Sequence, residues 1–181
     1  MEHIQDKIFY HIRVVTTKEI PFSLSKTYTF GKKLNNYYSF YESMSNQTIP
    51  QLANEYIRYA QEMIFEEMRQ KDFPSLPSRK TCLWLIPNSE NLSQALVFWF
   101  KQMYNPTMSS LKILKFSCTG NIHYANQKYL TLNINDVKLL REDAVKYWQG
   151  DNASCDNIDT EVLFEGTAKV IEIRDPFTIN F

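Results

Sequence analysis

The sequence predicts an α+β fold with mixed or antiparallel sheets and about three main helices, and three observations carry that expectation. Apolar strand-like runs open and close the chain, at residues 7–15 and 161–173. Three helical stripes, each with its own start and stop signals, lie between them. The order strand, helix, strand, helix and then several strands also lacks the regular alternation that a parallel sheet requires. At 181 residues, the chain suits one domain, taken as residues 1–181, long enough to bury a real core.

The elements follow from local pattern. In Lys7–Val15, Ile8, Tyr10, Ile12 and Val14 alternate with Phe9, His11, Arg13 and Val15. Both sets are mostly apolar, so the strand is covered on both faces, and His11 and Arg13 share one of them. From Lys18 to Asn46 the periodicity dissolves into an aromatic-rich segment with Tyr37, Tyr38, Phe40 and Tyr41. It is read as a long ordered loop with one short helix, of the kind that lines binding sites or packs on its own rings.

A strong helix follows. Thr48 caps it, Pro50 sits in its first turn, and Gln51 completes a capping box. Leu52, Ala53, Tyr56, Ile57, Ala60, Met63, Ile64 and Met68 form the expected apolar stripe, ending near Lys71. Pro74 and Pro77 then break the helix, because each lacks a backbone donor and constrains its predecessor. Arg79–Ile86 reads as an apolar strand stopped by Pro87. Asn88 or Ser89 starts a second helix with Leu92, Ala95, Leu96, Trp99 and Met103 on one face.

Residues 111–116 and 121–124 read as two strands around Thr119-Gly120. A third helix runs from Asp136 to about Gln149, burying Val137, Leu140, Ala144 and Trp148, and Gly150 stops it. Two strands, 161–165 and 167–173, close the chain, joined at Glu165-Gly166.

Composition narrows the function. Twenty Lys+Arg balance twenty Asp+Glu, so the basic excess of a dedicated duplex-DNA binder is absent. Cys82, Cys118 and Cys155 are widely spaced, which fits neither a disulfide framework nor a zinc knuckle. No metal site is expected: His123 has no second ligand at metal spacing. The start is charged, and no run approaches the ~20 apolar residues that span a bilayer. A cytoplasmic protein with no membrane partner is the expectation. Four glycines leave no phosphate-binding Gly-rich loop.

Three short segments bear chemistry. His11 stands in Phe9-Tyr10-His11-Ile12, Trp84 in Cys82-Leu83-Trp84-Leu85, and Glu161 heads Glu161-Val162-Leu163. Their order, with Ser93-Gln94-Ala95 in the helix after the middle strand, resembles the His–Tyr–Glu class of ADP-ribosyltransferases, including bacterial toxin-like members. The whole chain also resembles an uncharacterised bacterial domain family near that fold.

The resemblance implies NAD as substrate and an unknown acceptor, protein or nucleic acid, for a toxin or phage-defence effector. Cleavage of the nicotinamide–ribose bond passes through an oxocarbenium-like state that a carboxylate stabilises. Glu161 is then the catalytic carboxylate, His11 holds the ribose and Trp84 stacks on nicotinamide. Arg79 and Arg13 offer forked guanidinium groups to the phosphates.

Two positions depart from the class. The middle aromatic is Trp84 where the class has tyrosine, and Asp159 stands where members directed at arginine or asparagine have Gln or Glu. Each residue also has a plain structural reading: a core histidine for His11, packing for Trp84, and solvated strand ends for Glu161 and Arg79. The alternative function is a non-catalytic module binding a nucleotide or a protein.

Overall fold

A first strand with two apolar faces needs a cover on each side, and the computed structural model shows both. It describes residues 1–15, 22–42, 48–102, 111–131 and 136–176. The strands are β1 (Glu2–Val14), β2 (Thr27–Phe30), β3 (Leu83–Pro87), β4 (Leu111–Asn126) and β5 (Thr160–Arg174). The helices are α1 (Asn36–Glu42), α2 (Ile49–Asp72), α3 (Leu92–Gln102) and α4 (Val137–Gln149). The strand order is β2-β5-β3-β1-β4, with a further pairing of β5 to β4. All five pairings are antiparallel. This is the α+β architecture that the sequence predicts.

The extra pairing closes β1, β4, β5 and β3 into a ring. β5 pairs with β3 at 162–164 and then with β2 at 166–169. Every strand of the ring sends apolar side chains into one cluster, including Phe9, Leu85, Phe116, Ile122, Val162 and Phe164. Outside the ring, Tyr10, Ile12 and Ile86 pack with Ala95 and Leu96 of α3. On another flank, Leu163 and Ala125 pack with Phe65 of α2 and with Ala144, Tyr147 and Trp148 of α4. The two faces expected of β1 are therefore real, Phe9 turned into the ring and Tyr10 and Ile12 turned toward α3. Among the described residues, no helix is long and apolar enough to cross a membrane.

Four sequence expectations are corrected. The paired strands around Thr119-Gly120 are one continuous strand, β4, and those around Glu165-Gly166 are one strand, β5. Both glycines, whose place in the sequence suggested hairpins, have positive φ, +151° and +144°. They are instead partnered with each other across the β4–β5 ladder. A Cβ on Gly120 would stand 2.2 Å from the Glu165 carbonyl oxygen, and one on Gly166 would stand 2.4 Å from that of Thr119. Glycine here lets two long strands approach backbone to backbone, which is a second meaning of a strand glycine.

The third correction is β2, which lies inside the segment read as loop; only α1 was anticipated there. The fourth concerns α2. Its capping pair is present, with the Thr48 N–H donating to Gln51 Oε1 at 3.0 Å. Its buried face, however, is Gln61, Glu62, Phe65, Glu66 and Met68, while Tyr56 is exposed. Polar partners supplied by the rest of the fold decide that face, as described below. Met103, expected on the α3 face, lies outside the described residues.

The glycine pair gives a direct test. Gly166→Ala adds a methyl group against backbone and forces an L-residue to positive φ. Its stability in urea should fall by roughly 2–5 kcal/mol, whereas Thr167→Ala, at an exposed neighbouring position, should change it by no more than about 0.5 kcal/mol.

Candidate functional site

β1 and β3 share only two paired positions, Phe9↔Pro87 and Tyr10↔Ile86. Where that short ladder ends, a side chain replaces the backbone: His11 Nδ1 donates to the Trp84 carbonyl at 2.8 Å. A carbonyl only accepts, so Nδ1 carries the proton. Burial lowers the His11 pKa to about 4. At neutral pH its Nε2 is therefore an unprotonated acceptor, and it has no partner among the described residues.

A cavity of about 540 Å³ opens beside this gap, lined by His11, Tyr37, Trp84, Trp99, Arg79 and Glu161 among others. That size is ordinary for a small-molecule site. Its walls are aromatic, with Tyr37 edge-on to Trp84 at 5.6 Å. Among the described residues, the indole N–H groups of Trp84 and Trp99 are buried without an acceptor, a rare condition.

The cavity floor is a charged network assembled from five elements. Arg79 stands in the turn before β3, and that turn is tied from three sides. Ser78 donates its N–H to Glu165 Oε1 at 3.0 Å and its hydroxyl to Glu66 Oε1 at 2.9 Å. Asn35 Nδ2 donates to the Arg79 carbonyl at 2.8 Å. So fixed, the guanidinium forks onto Glu62 of α2, Nε to Oε2 at 2.7 Å and Nη2 to Oε1 at 2.8 Å. Its Nη1 reaches Glu161 Oε1 of β5 and the Tyr147 hydroxyl of α4, each at 2.5 Å.

Tyr147 in turn donates to Glu161 Oε1, and Tyr38 of α1 donates to Glu62 Oε2 at 2.5 Å. Burial and the neighbouring carboxylates hold both phenols far above their ordinary pKa, so both stay protonated and donate. Burial alone would lower the Arg79 pKa, but Glu62, Tyr147 and Glu161 outweigh it and keep the guanidinium charged.

Two consequences are chemical. One arginine faces two carboxylates, so this trio carries a formal charge of −1 at the cavity floor. Glu161 spends Oε1 on Arg79 and Tyr147, while its Oε2 has no partner among the described residues. A carboxylate oriented through one oxygen and open at the other can accept a ligand hydroxyl or face developing positive charge.

The structure brings four of the five sequence candidates together: His11, Arg79, Trp84 and Glu161 all line the cavity. Arg13 does not line it, and its guanidinium lies 5.5 Å from the Phe22 ring centre. Arg79 is present but occupied, its donors turned to carboxylates. Asp159 accepts from Asn126 Nδ2 at 3.0 Å. Glu62 and Tyr147 are the residues that sequence reasoning missed; Tyr38 was read only as part of the aromatic segment, not as a partner of Glu62. One signal was available: Glu62, Glu66 and Arg69 recur at helical spacing alongside Phe65 and Met68, marking a face that is both buried and charged.

Residues 10–176 match a family model described as a protein of unknown function, DUF2441. The chain belongs to the DUF2441 family. The matched span contains all five sequence candidates and every member of the Arg79 network. No curated protein matches the sequence.

Breaking the network from its centre should be severe. Arg79→Met leaves two buried carboxylates facing each other, and urea unfolding should show a loss of about 3–5 kcal/mol. The buried histidines set a pH response. His123 is also buried, its Nε2 near the Tyr147 carbonyl, and burial lowers its pKa to about 4. Both imidazoles take up protons more readily unfolded, near pH 6.5, than folded. Stability should therefore be full above pH ~6.5 and fall as the pH drops toward about 4. His123→Phe, which keeps the ring contact with Trp148, should remove about half of that slope in urea midpoints.

Proposed function

We propose that this protein binds NAD in the cavity between β1 and β3 and acts as an ADP-ribosyltransferase-like enzyme with Glu161 as its catalytic carboxylate. The observation that carries this reading is convergence. His11, Trp84 and Glu161 come from three distant segments and line one hollow of about 540 Å³, with His11 Nε2 and Glu161 Oε2 lacking partners among the described residues.

The neutral His11 Nε2 accepts a ribose hydroxyl. Trp84 and Tyr37 supply aromatic faces for a flat ring. Glu161 Oε2 meets the ribose whose glycosidic bond breaks, where positive charge develops. The bonding pair leaves with nicotinamide, which departs neutral. The acceptor's lone pair then bonds to the same ribose carbon, and the acceptor's proton passes to solvent.

The negative floor suits that charge development. Arg79 acts here on Glu161 rather than on phosphate. Arg58, an exposed cavity-lining cation of α2, takes over the phosphate role first assigned to Arg13 and Arg79.

One observation favours a second reading, a non-catalytic nucleotide-binding module: Glu161 is only 5% exposed and already holds Arg79 and Tyr147. Calorimetry with NAD and ADP-ribose, paired with an NAD-turnover assay, separates the two. The enzyme reading expects turnover in the native protein and a fall of about 100-fold or more in Glu161→Gln with NAD affinity retained. Equal turnover in both proteins removes Glu161 from the chemistry, and tight binding with no turnover in either supports the module.

A further inference from the structure

We infer that Glu62 is a positioning residue for Glu161: by forking onto Arg79, it keeps that guanidinium from taking both oxygens of Glu161. The inference rests on the reading of Glu161 as the catalytic carboxylate and adds what keeps that group usable.

Arginine presents five N–H donors in a rigid plane, and its most favourable pairing with a carboxylate is bidentate. Arginine has two edges that can fork, Nε/Nη2 and Nη1/Nη2; two carboxylates flank Arg79, but only one of them receives a fork. Glu62 receives it, through Nε and Nη2 at 2.7 and 2.8 Å. Glu161 receives the remaining arm, Nη1, on Oε1 alone. The outcome is not left to the guanidinium. Tyr38 donates to Glu62 Oε2 at 2.5 Å and fixes the acceptor side of the fork.

From the opposite side Tyr147 donates to Glu161 Oε1, holding the oxygen that Nη1 already contacts. Glu161 Oε2 is thereby left for the cavity. Without the charge of Glu62, the guanidinium loses its fork partner, and the nearest carboxylate able to replace it is Glu161. A fork onto Glu161 would engage Oε2, the oxygen the reaction needs. Both oxygens of Glu62 accept from the protein, Oε1 from Arg79 and Oε2 from Arg79 and Tyr38.

The test measures NAD turnover (kcat and KM) and NAD affinity in Glu62→Gln, Arg79→Lys, Glu161→Gln and the double variant Glu62→Gln/Arg79→Lys. The expected result is a kcat at least tenfold lower in Glu62→Gln with KM and NAD affinity within threefold of the native protein. The double variant should recover kcat over Glu62→Gln, because lysine is a point charge and cannot fork across both oxygens of Glu161. A purely structural role would make the two losses add.

Tyr38→Phe keeps every charge and covers the case of an unstable Glu62→Gln. It should lower kcat three- to tenfold at unchanged KM. Native kcat in Glu62→Gln or in Tyr38→Phe, or additive losses in the double variant, overturns the inference. If Glu161→Gln is inactive while Glu62→Gln turns over normally, the positioning role alone fails. If Glu161→Gln equals the native protein, or the native protein does not turn NAD over, the catalytic reading fails and takes this inference with it.

Discussion

One buried cation shared by two buried carboxylates is the constraint on which this structure depends. Removing an ion from water is expensive, and in the interior only close, hydrogen-bonded counter-charges offset that penalty. Arg79 meets the condition by using Nε, Nη1 and Nη2 at 2.5–2.8 Å on Glu62, Glu161 and Tyr147. Its partners stand on α2, β5 and α4, with α1 joined through Tyr38. Those elements are distant in sequence, and the guanidinium is satisfied only where all of them meet, beside the apolar cluster that α2, α4 and β5 also share. The position of α2 on the β ring is thus fixed by chemistry as well as by apolar area.

The same constraint explains where sequence reading succeeded and where it did not. Period-two alternation in β1 was legible because both its faces bury apolar side chains, Phe9 inward and Tyr10 and Ile12 toward α3. The start of α2 at Thr48 and the stop of α4 at Gly150 were legible because capping chemistry is local. The buried face of α2 was not legible. Charged residues at helical spacing ordinarily mark solvent, and here the long-range partners Arg79, Tyr38 and Ser78, with Arg69 on α2 itself, hold Glu62 and Glu66 inside. The joints at Gly120 and Gly166 failed for a related reason. A positive φ looks local, yet here its cause is another strand's backbone, and no window of sequence contains both glycines.

At the site, the individual side chains were readable and their connections were not. His11, Trp84 and Glu161 stood out through their types and order, and they share one cavity. Arg79 stood out for its fork, which is used on carboxylates instead of phosphate. An arginine in a sequence announces that it will find anions. It does not announce whether those anions belong to a ligand or to the protein itself.

The ring of strands and the cavity are consequences of one geometric choice. β3 is five residues long, against 13 to 16 for β1, β4 and β5. A strand that short bridges β1 and β5 only briefly, so it closes the ring without filling the space along β1. His11 takes the Trp84 carbonyl where the backbone ladder ends, and the aromatic rings of Trp84 and Tyr37 stand beside the opening. The charged turn that precedes β3 then delivers Arg79 to the floor. A short closing strand with a fixed cation before it and a carboxylate on the strand it joins therefore produces two things together. It seals the apolar interior and leaves a polar hollow next to the seal.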